Sequence, residues 1–254
     1  MKPLFTIITV TYNASSTLTP TMESVRNQTF TDFEHLIIDG SSKDNTLQIA
    51  ESLSKANKTK IFSEQDSGLY DAMNKGIDKA CGDYLIFLNS GDAFHSDDTL
   101  EKIADAIKKN DFPGSVYGQT AIVDSNRKII ANRHLTAPEH LEYKSFKDGM
   151  VVCHQAFIVL KRIAPLFDLR YRFSADYDWC IKCLQHSRHN IYINATLIDY
   201  LFEGLTSKNR KKSLIERFRI MTKYYGLATT IIKHLSFIPR FLARRQEENN
   251  ILNN

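Results

Sequence analysis

Three short apolar runs in the first 92 residues each end in a cluster of small polar residues, and this repeat narrows the accessible folds sharply. The runs are Leu4 to Val10, Phe33 to Ile38 and Tyr84 to Leu88. They lead into Thr11-Tyr12-Asn13, Asp39-Gly40-Ser41-Ser42 and Asn89-Ser90-Gly91-Asp92. A short apolar run bounded by turn residues reads as a strand buried on both faces. Between the runs, apolar residues recur at helical spacing. Leu18, Met22 and Val25 mark a helix within Ser15 to Gln28, with Pro20 making its first turn irregular. Asp44 caps a second helix through Leu53, and Ser67-Gly68 opens a third that runs to about Ala80. Lys60 to Ser63 is a short strand, and Asp97-Asp98 precedes a helix with Leu100, Ile103, Ala104 and Ile107 on one face. Strand and helix in alternation give a parallel sheet covered on both sides.

The pattern changes after Pro113. Ser115 to Val123 and Lys128 to Asn132 read as strands joined by a hairpin turn over Asp124-Ser125-Asn126-Arg127. A short helix is expected over Glu139 to Lys147, an apolar strand opening at His154-Gln155 over Val151 to Lys161, a helix over Ser174 to Gln185 and a strand over Ile191 to Leu201. Ser213 to Ala243 reads as one helix, broken or kinked at Pro239, and Gln246 to Asn254 as disordered. The expected fold class is α/β: a Rossmann-like, mostly parallel sheet with helices on both faces, a mixed C-terminal half and a helical basic tail. The corresponding division is a domain over residues 1–210, split into halves 1–112 and 113–210, and a tail over 211–254.

Charge is distributed unevenly. Residues 207–254 carry eleven Lys/Arg against three Asp/Glu, a net of +8, and the first 206 carry 22 against 26, a net of −4. A basic amphipathic tail on a mildly acidic body points to an anionic surface, such as the inner face of the cytoplasmic membrane. The alternative is packing on the domain or on a second subunit, which leaves room for a homodimer. The tail has no known nucleic-acid-binding motif, so no nucleic-acid partner is expected. No run of 18 apolar residues occurs, and the N-terminal run reads as a strand and not as a signal peptide, so the expected location is cytoplasmic, with peripheral membrane contact through the tail. Cys180 and Cys183 have CxxC spacing inside a helix with no second ligand pair, which favours buried thiols over a metal or redox site.

In an open α/β sheet, ligands bind beyond the carboxyl ends of the strands. All three polar clusters converge there. A nucleotide base needs a stacking wall and directional hydrogen bonds, which Tyr12 and Asp39 supply. A diphosphate needs a cation, and Asp92 can hold a hard one such as Mg²⁺ or Mn²⁺ through oxygen. Gly91 lets a ligand approach the backbone beside it. Neither a P-loop nor a GxGxxG after the first strand is present.

These motifs resemble the inverting family-2 glycosyltransferases of the GT-A fold, of the kind that build bacterial surface polysaccharides such as lipopolysaccharide. The resemblance rests on ITVTYN, IIDGSSKDNT, EQDSGLYDAMNKGIDKACGDYLIFLNSGD, VCHQAFIV and FSADYDWCIK, and covers roughly residues 4–205. It implies that Thr11, Tyr12, Asn13 and Asp39 line a nucleoside pocket, with Asp39 on the base edge. It puts Asp66, Gly68 and Asn74 beside base and ribose, and Ser90 and Gly91 among the nucleotide-sugar contacts. Asp92 corresponds to the last acid of the family's metal-binding motif, while Asn89 and Gly91 stand where acids often occur. Asp176 aligns with the catalytic base, with Ala175 in place of the usual Glu. His154 and Gln155 fall near the acceptor and the diphosphate. Phe202 to Ser207 resembles the loop that closes over the donor.

The implied activity is metal-dependent transfer of a hexose or N-acetylhexosamine, from a donor that is UDP-linked in the family, to a hydroxyl of a glycan or lipid-linked acceptor. The missing acids at Asn89, Gly91 and Ala175 keep a second reading open: a nucleotide-sugar-binding module of the same fold with impaired turnover.

Overall fold

The computed structural model describes residues 2–54, 58–133, 135–202 and 209–237. The first half alternates as the sequence predicts: β1 (Phe5–Thr11), α1 (Leu18–Arg26), β2 (Phe33–Asp39), α2 (Thr46–Ser54), β3 (Thr59–Ser63), α3 (Leu69–Lys79) and β4 (Tyr84–Phe87). A two-residue strand, β5 (Ala93–Phe94), and α4 (Thr99–Lys109) follow. The second half holds β6 (Ser115–Val123), β7 (Ile129–Asn132), β8 (Phe157–Leu160), α5 (Ala175–His186), β9 (Asn190–Leu201) and α6 (Arg210–Tyr225). A last helix, α7, occupies residues 227–237.

All the strands among the described residues belong to one sheet in the order β3-β2-β1-β4-β8-β6-β9-β5, with β7 paired to β6. β3, β2, β1 and β4 are parallel, whereas β8 runs antiparallel between β4 and β6. Alternation along the strands divides the core. Ile8, Val10, Leu85 and Phe87 face α3 and α5, and Phe5, Ile7, Tyr84 and Ile86 face α4. Leu18, Met22, Ile37 and Ala50 join α1 and α2 to the sheet. With both faces covered, the parallel strands read as continuous apolar runs, as burial on both sides requires.

Two features of this topology build the site. Because β8 is antiparallel to β4, with Tyr84 opposite Leu160 and Leu85 opposite Val159, the segment that enters β8 emerges at the same edge as the end of β4. The chain also leaves β4 through Asn89–Asp92 and re-enters the sheet as β5, paired to β9 through Ala93–Asp199 and Phe94–Ile198. The sheet therefore curls, and this turn lies against the end of β9. Gly91 permits the close approach: it has φ +99°, and a Cβ there would meet the Leu201 side chain at 2.8 Å.

Some expectations are corrected. The helix expected over Glu139 to Lys147 is a 3₁₀ segment, Tyr143–Asp148. The apolar stretch around His154 opens with a 3₁₀ turn, His154–Ala156, before the strand begins. The long C-terminal helix ends at Gly226 (φ +81°) and restarts at residue 227. A glycine in the left-handed region is a frequent helix terminator. Pro239, expected to kink the helix, and the expected disordered end lie outside the described residues. Cys153, Cys180 and Cys183 are buried free thiols, and Cys81 is exposed.

His35 is buried at the centre of β2, with Nε2 2.9 Å from Thr9 Oγ1. Burial disfavours the imidazolium and lowers its pKa to about 3. Between about pH 6.5 and 3 the unfolded chain therefore binds a proton that the folded chain does not, and stability falls as pH falls through that window. We expect urea denaturation across this range to show that loss, and His35→Gln to remove up to about 1.4 kcal/mol per pH unit from its slope.

Candidate active site

The register of the parallel strands aligns Thr11, Asp39 and Ser63 at the carboxyl edge. Asp39 is fully buried there. It accepts hydrogen bonds from Thr11 Oγ1 at 2.9 Å, Ser63 Oγ at 2.8 Å, and Ser42 through its backbone N–H at 2.9 Å and its hydroxyl at 2.5 Å. Burial raises its pKa, but these donors outweigh burial and hold the carboxyl below the usual range. Asp39 thus ties together the loops that follow β1, β2 and β3. Those loops present Tyr12, which is 66% exposed. Asn13, at φ +48°, accepts the backbone N–H of Lys43 through Oδ1 at 2.8 Å. Gly40 lies between the Asp66 carboxylate and the Tyr12 ring, and a Cβ there would collide with Asp66. Asp66 Oδ1 accepts the N–H of Gly68 at 2.9 Å, at the start of α3. Tyr12, Asp66 and Gly68 therefore gather at one opening. Asn74 is directed elsewhere: it is buried, and its amide exchanges hydrogen bonds of 3.0 and 2.7 Å with the backbone of Phe167.

The second half of the site hangs on two adjacent residues. Gln155 Nε2 donates to Asp92 Oδ2 at 2.8 Å, and His154 Nδ1 lies 3.2 Å from Asp176 Oδ2. One 3₁₀ turn thereby links a carboxylate at the end of β4 to one at the start of α5. Asp92 is buried, and its Oδ1 accepts the backbone N–H of Leu201 at 3.0 Å. Burial pushes its pKa up to about 6, against the opposing pull of Leu201, Gln155, His154 and Arg127. Asp176 keeps 14% of its side chain exposed. Burial raises its pKa too, but here His154, Arg217 and Tyr70 prevail and lower it. Tyr70 donates to Asp176 Oδ1 at 3.0 Å. Its ring stacks on Phe167, which stacks on Trp179 with centroids 4.9 Å apart. That aromatic column sets the position of the tyrosine hydroxyl.

The oxygens of the turn bear on whether it suits a divalent cation. Asn89 Oδ1 is buried without a hydrogen-bond partner, while Asn89 Nδ2 lies 3.4 Å from His154 Nε2. Each Asp92 oxygen has one protein donor and retains a lone pair. A hard cation takes oxygens of this kind, so the residues fit one. No group of three or more His, Cys, Asp or Glu side chains that could hold a metal ion occurs among the described residues. Ser90 Oγ is 2.9 Å from Thr17 Oγ1, and the Gly91 N–H donates to Thr21 Oγ1 at 2.9 Å.

Sequence reasoning missed Tyr70, Arg127 and the Leu201 amide. Arg127, in the β6–β7 hairpin, donates through Nη1 to the Gly91 carbonyl at 2.6 Å. Nothing local marked it, because its partner lies 36 residues away. Tyr70 lies in the long central motif, where the sequence assigns it no role of its own. Of the loop expected to close over the donor, residues 203–207 lie outside the described residues. Asp178 is fully buried, bound to Lys182 at 2.6 Å, Lys223 at 3.1 Å and Tyr224 at 2.9 Å, in a structural role.

Comparison with known proteins decides the family. The family model for glycosyl transferase family 2 matches residues 6–164. The chain belongs to that family. This family-2 glycosyltransferase is 31% identical over 238 residues to a "PGL/p-HBAD biosynthesis glycosyltransferase" of Mycobacterium bovis, covering 91% of this chain and 89% of the relative. It is 26% identical to the "putative teichuronic acid biosynthesis glycosyltransferase TuaG" of Bacillus subtilis over 84% of each chain. Among solved structures, S. aureus TarS in complex with UDP aligns with a TM-score of 0.72 at 19% identity, over 92% of this chain and 72% of that one. A Pyrobaculum calidifontis mannosyltransferase in complex with GDP-Man and Mn²⁺ aligns at 0.62 and 14%, over 99% and 81%. These likenesses show the GT-A fold. The protein is an enzyme of this family, and no helix among its described residues is long and apolar enough to cross a membrane.

In metal-free protein, we expect the Asp92 carboxyl carbon to titrate near pH 6 by ¹³C NMR. Gln155→Leu removes a donor to the carboxylate and moves that midpoint upward. The folded state keeps the proton longer than the unfolded chain, so ionising Asp92 lowers stability as pH rises from about 4 to about 6. A midpoint in the ordinary carboxylate range would contradict the geometry.

Proposed function

We propose that this glycosyltransferase moves a hexose or N-acetylhexosamine, with inversion, from a nucleoside-diphosphate sugar to a hydroxyl of a glycan or lipid-linked acceptor. The observation that carries the reading is the pair of carboxylates held by adjacent residues. Asp92 on the β4 turn and Asp176 at the head of α5 come from two halves of the chain and are tied together through the adjacent Gln155 and His154. Inversion in one step needs a base and a leaving group on opposite sides of the sugar, and two separately supported carboxylates suit that need.

In this reading Asp176 takes the proton of the acceptor hydroxyl as its oxygen bonds to the anomeric carbon. The bond from that carbon to the diphosphate oxygen breaks, and the nucleoside diphosphate leaves with the electron pair. An unassisted hydroxyl is a weak nucleophile, which is why a base in hydrogen-bond reach is required. Tyr70 and His154 orient the Asp176 carboxylate and favour its ionised form, ready to accept the proton. Asp92 and Asn89 Oδ1 would hold a divalent cation, Mg²⁺ or Mn²⁺, which supplies positive charge against the diphosphate. Tyr12, with Asp66 and Gly68 beyond Gly40, forms the wall for the base, and Asp39 shapes that wall from behind.

A uridine donor is supported by the UDP and UDP-GlcNAc complexes of TarS. A surface-glycan or glycolipid acceptor is supported by relatives named for teichuronic acid and PGL biosynthesis.

The deciding experiment is Asp176→Asn. Transfer is expected to fall by about 10²–10⁴-fold with donor affinity retained, and surviving transfer would rule out Asp176 as the base. Tyr70→Phe should shift the acid limb of the pH–rate profile to higher pH, because it removes a donor that favours the ionised carboxyl. Donor identity is read by thermal shift with UDP, GDP, CDP and dTDP, each with and without Mn²⁺. A ligand at a hundred times its Kd stabilises by about 2.7 kcal/mol. Asp92→Ala should abolish the metal-dependent part of that shift.

A further inference from the structure

The last described helix is inside out. Along α7, Leu227, Ile231, Ile232 and Leu235 are all exposed. Their spacing puts them on one face, together with exposed Ala228 and Ser236. Apart from Phe237, which packs on the core, the residues turned towards the protein are polar. Thr230 is fully buried, Lys233 Nζ binds Asp148 Oδ1 at 2.6 Å, and His234 packs edge-on against Phe218 at 5.0 Å. A helix that covers a soluble domain normally does the reverse. Contiguous exposed apolar surface of this kind marks an interaction site.

The preceding helix supplies charge. α6 exposes Lys211, Lys212 and Arg219 together with Leu214 and Ile215. Its one acid, Glu216, is engaged by the backbone N–H groups of Arg172 and Phe173, both at 2.9 Å. Cations beside an exposed apolar stripe match a helix lying at the boundary between lipid headgroups and acyl chains. A two-fold dimer through this surface would set like charges against each other, whereas anionic headgroups satisfy the cations and the acyl region takes the side chains.

We propose that the exposed faces of α6 and α7 form a docking surface for a bilayer containing anionic lipid. This goes beyond the donor and base assignments and stands whether or not they hold. It would keep the enzyme at the surface where a lipid-linked acceptor resides.

The test is vesicle flotation of the full chain at low ionic strength. Vesicles of phosphatidylcholine alone are compared with vesicles also containing phosphatidylglycerol. The protein is expected to float with the anionic vesicles only. Replacing Lys211, Lys212 and Arg219 by Gln should weaken partitioning about fivefold per charge removed. The triple variant Ile231→Asn, Ile232→Asn, Leu235→Asn should stay unbound. All substitutions are at exposed positions, and circular dichroism with thermal unfolding checks folding separately from lipid binding. The proposal is overturned if the full chain does not float with anionic vesicles, or if the triple Asn variant floats as well as the parent. Light scattering supplies a further overturning outcome: a dimer that the triple variant dissociates, with vesicle partitioning unchanged, would make this face a self-association surface.

Discussion

The site depends on one short turn having a donor on each side. His154 and Gln155 are consecutive, yet they serve carboxylates from different halves of the chain. In a 3₁₀ turn successive side chains diverge, so neighbouring residues can reach opposite walls of a cleft. An extended strand there would also alternate, but it would commit one of the two side chains to the sheet's packed face. The turn exists because β8 enters antiparallel to β4, bringing its leading residues to the edge where β4 ends. Topology and chemistry thus meet in two residues.

The two carboxylates show how neighbours decide between burial and ionisation. Both are desolvated, and desolvation alone would protonate both. Asp176 is kept ionised by His154, Tyr70 and the more distant Arg217. Asp92 has weaker support and holds its proton to about pH 6. A carboxylate that is costly to ionise without a counter-charge suits a position whose partner arrives with the substrate. Asp39 is a third case: surrounded by hydroxyl and amide donors from three loops, its charge is used to fix the architecture of the cleft wall.

Much of this was legible in the residues. Apolar runs ending in polar clusters located the parallel strands and the edge at which they open, the long central motif carried Asp92, and FSADYDWCIK carried Asp176. Periodicity failed where a single residue changed the backbone. Gly226 divided a helix whose apolar spacing continued straight through it, and His154 opened a tight turn inside a run that looked like strand. Asn74 shows a different limit, since its place in a motif says nothing about which direction its amide faces. Arg127, Tyr70 and the Leu201 amide were invisible for a geometric reason: their significance lies in partners far along the chain that only the folded structure brings close.

These long-range contacts have a consequence for how the protein comes into being. The Leu201 amide reaches Asp92 across 109 positions, and Tyr70 reaches Asp176 across 106. Contacts of such long range close late, because the loop entropy must be overcome before they form. A growing chain that has released its first half from the ribosome can already assemble the strands bearing Tyr12 and Asp39. Asp92 at that stage has neither Gln155 nor the end of β9 to hold it. The surroundings of Asp92 are completed only after β9 has been synthesised, so a nascent fragment holds Tyr12 and Asp39 in place without the paired carboxylates.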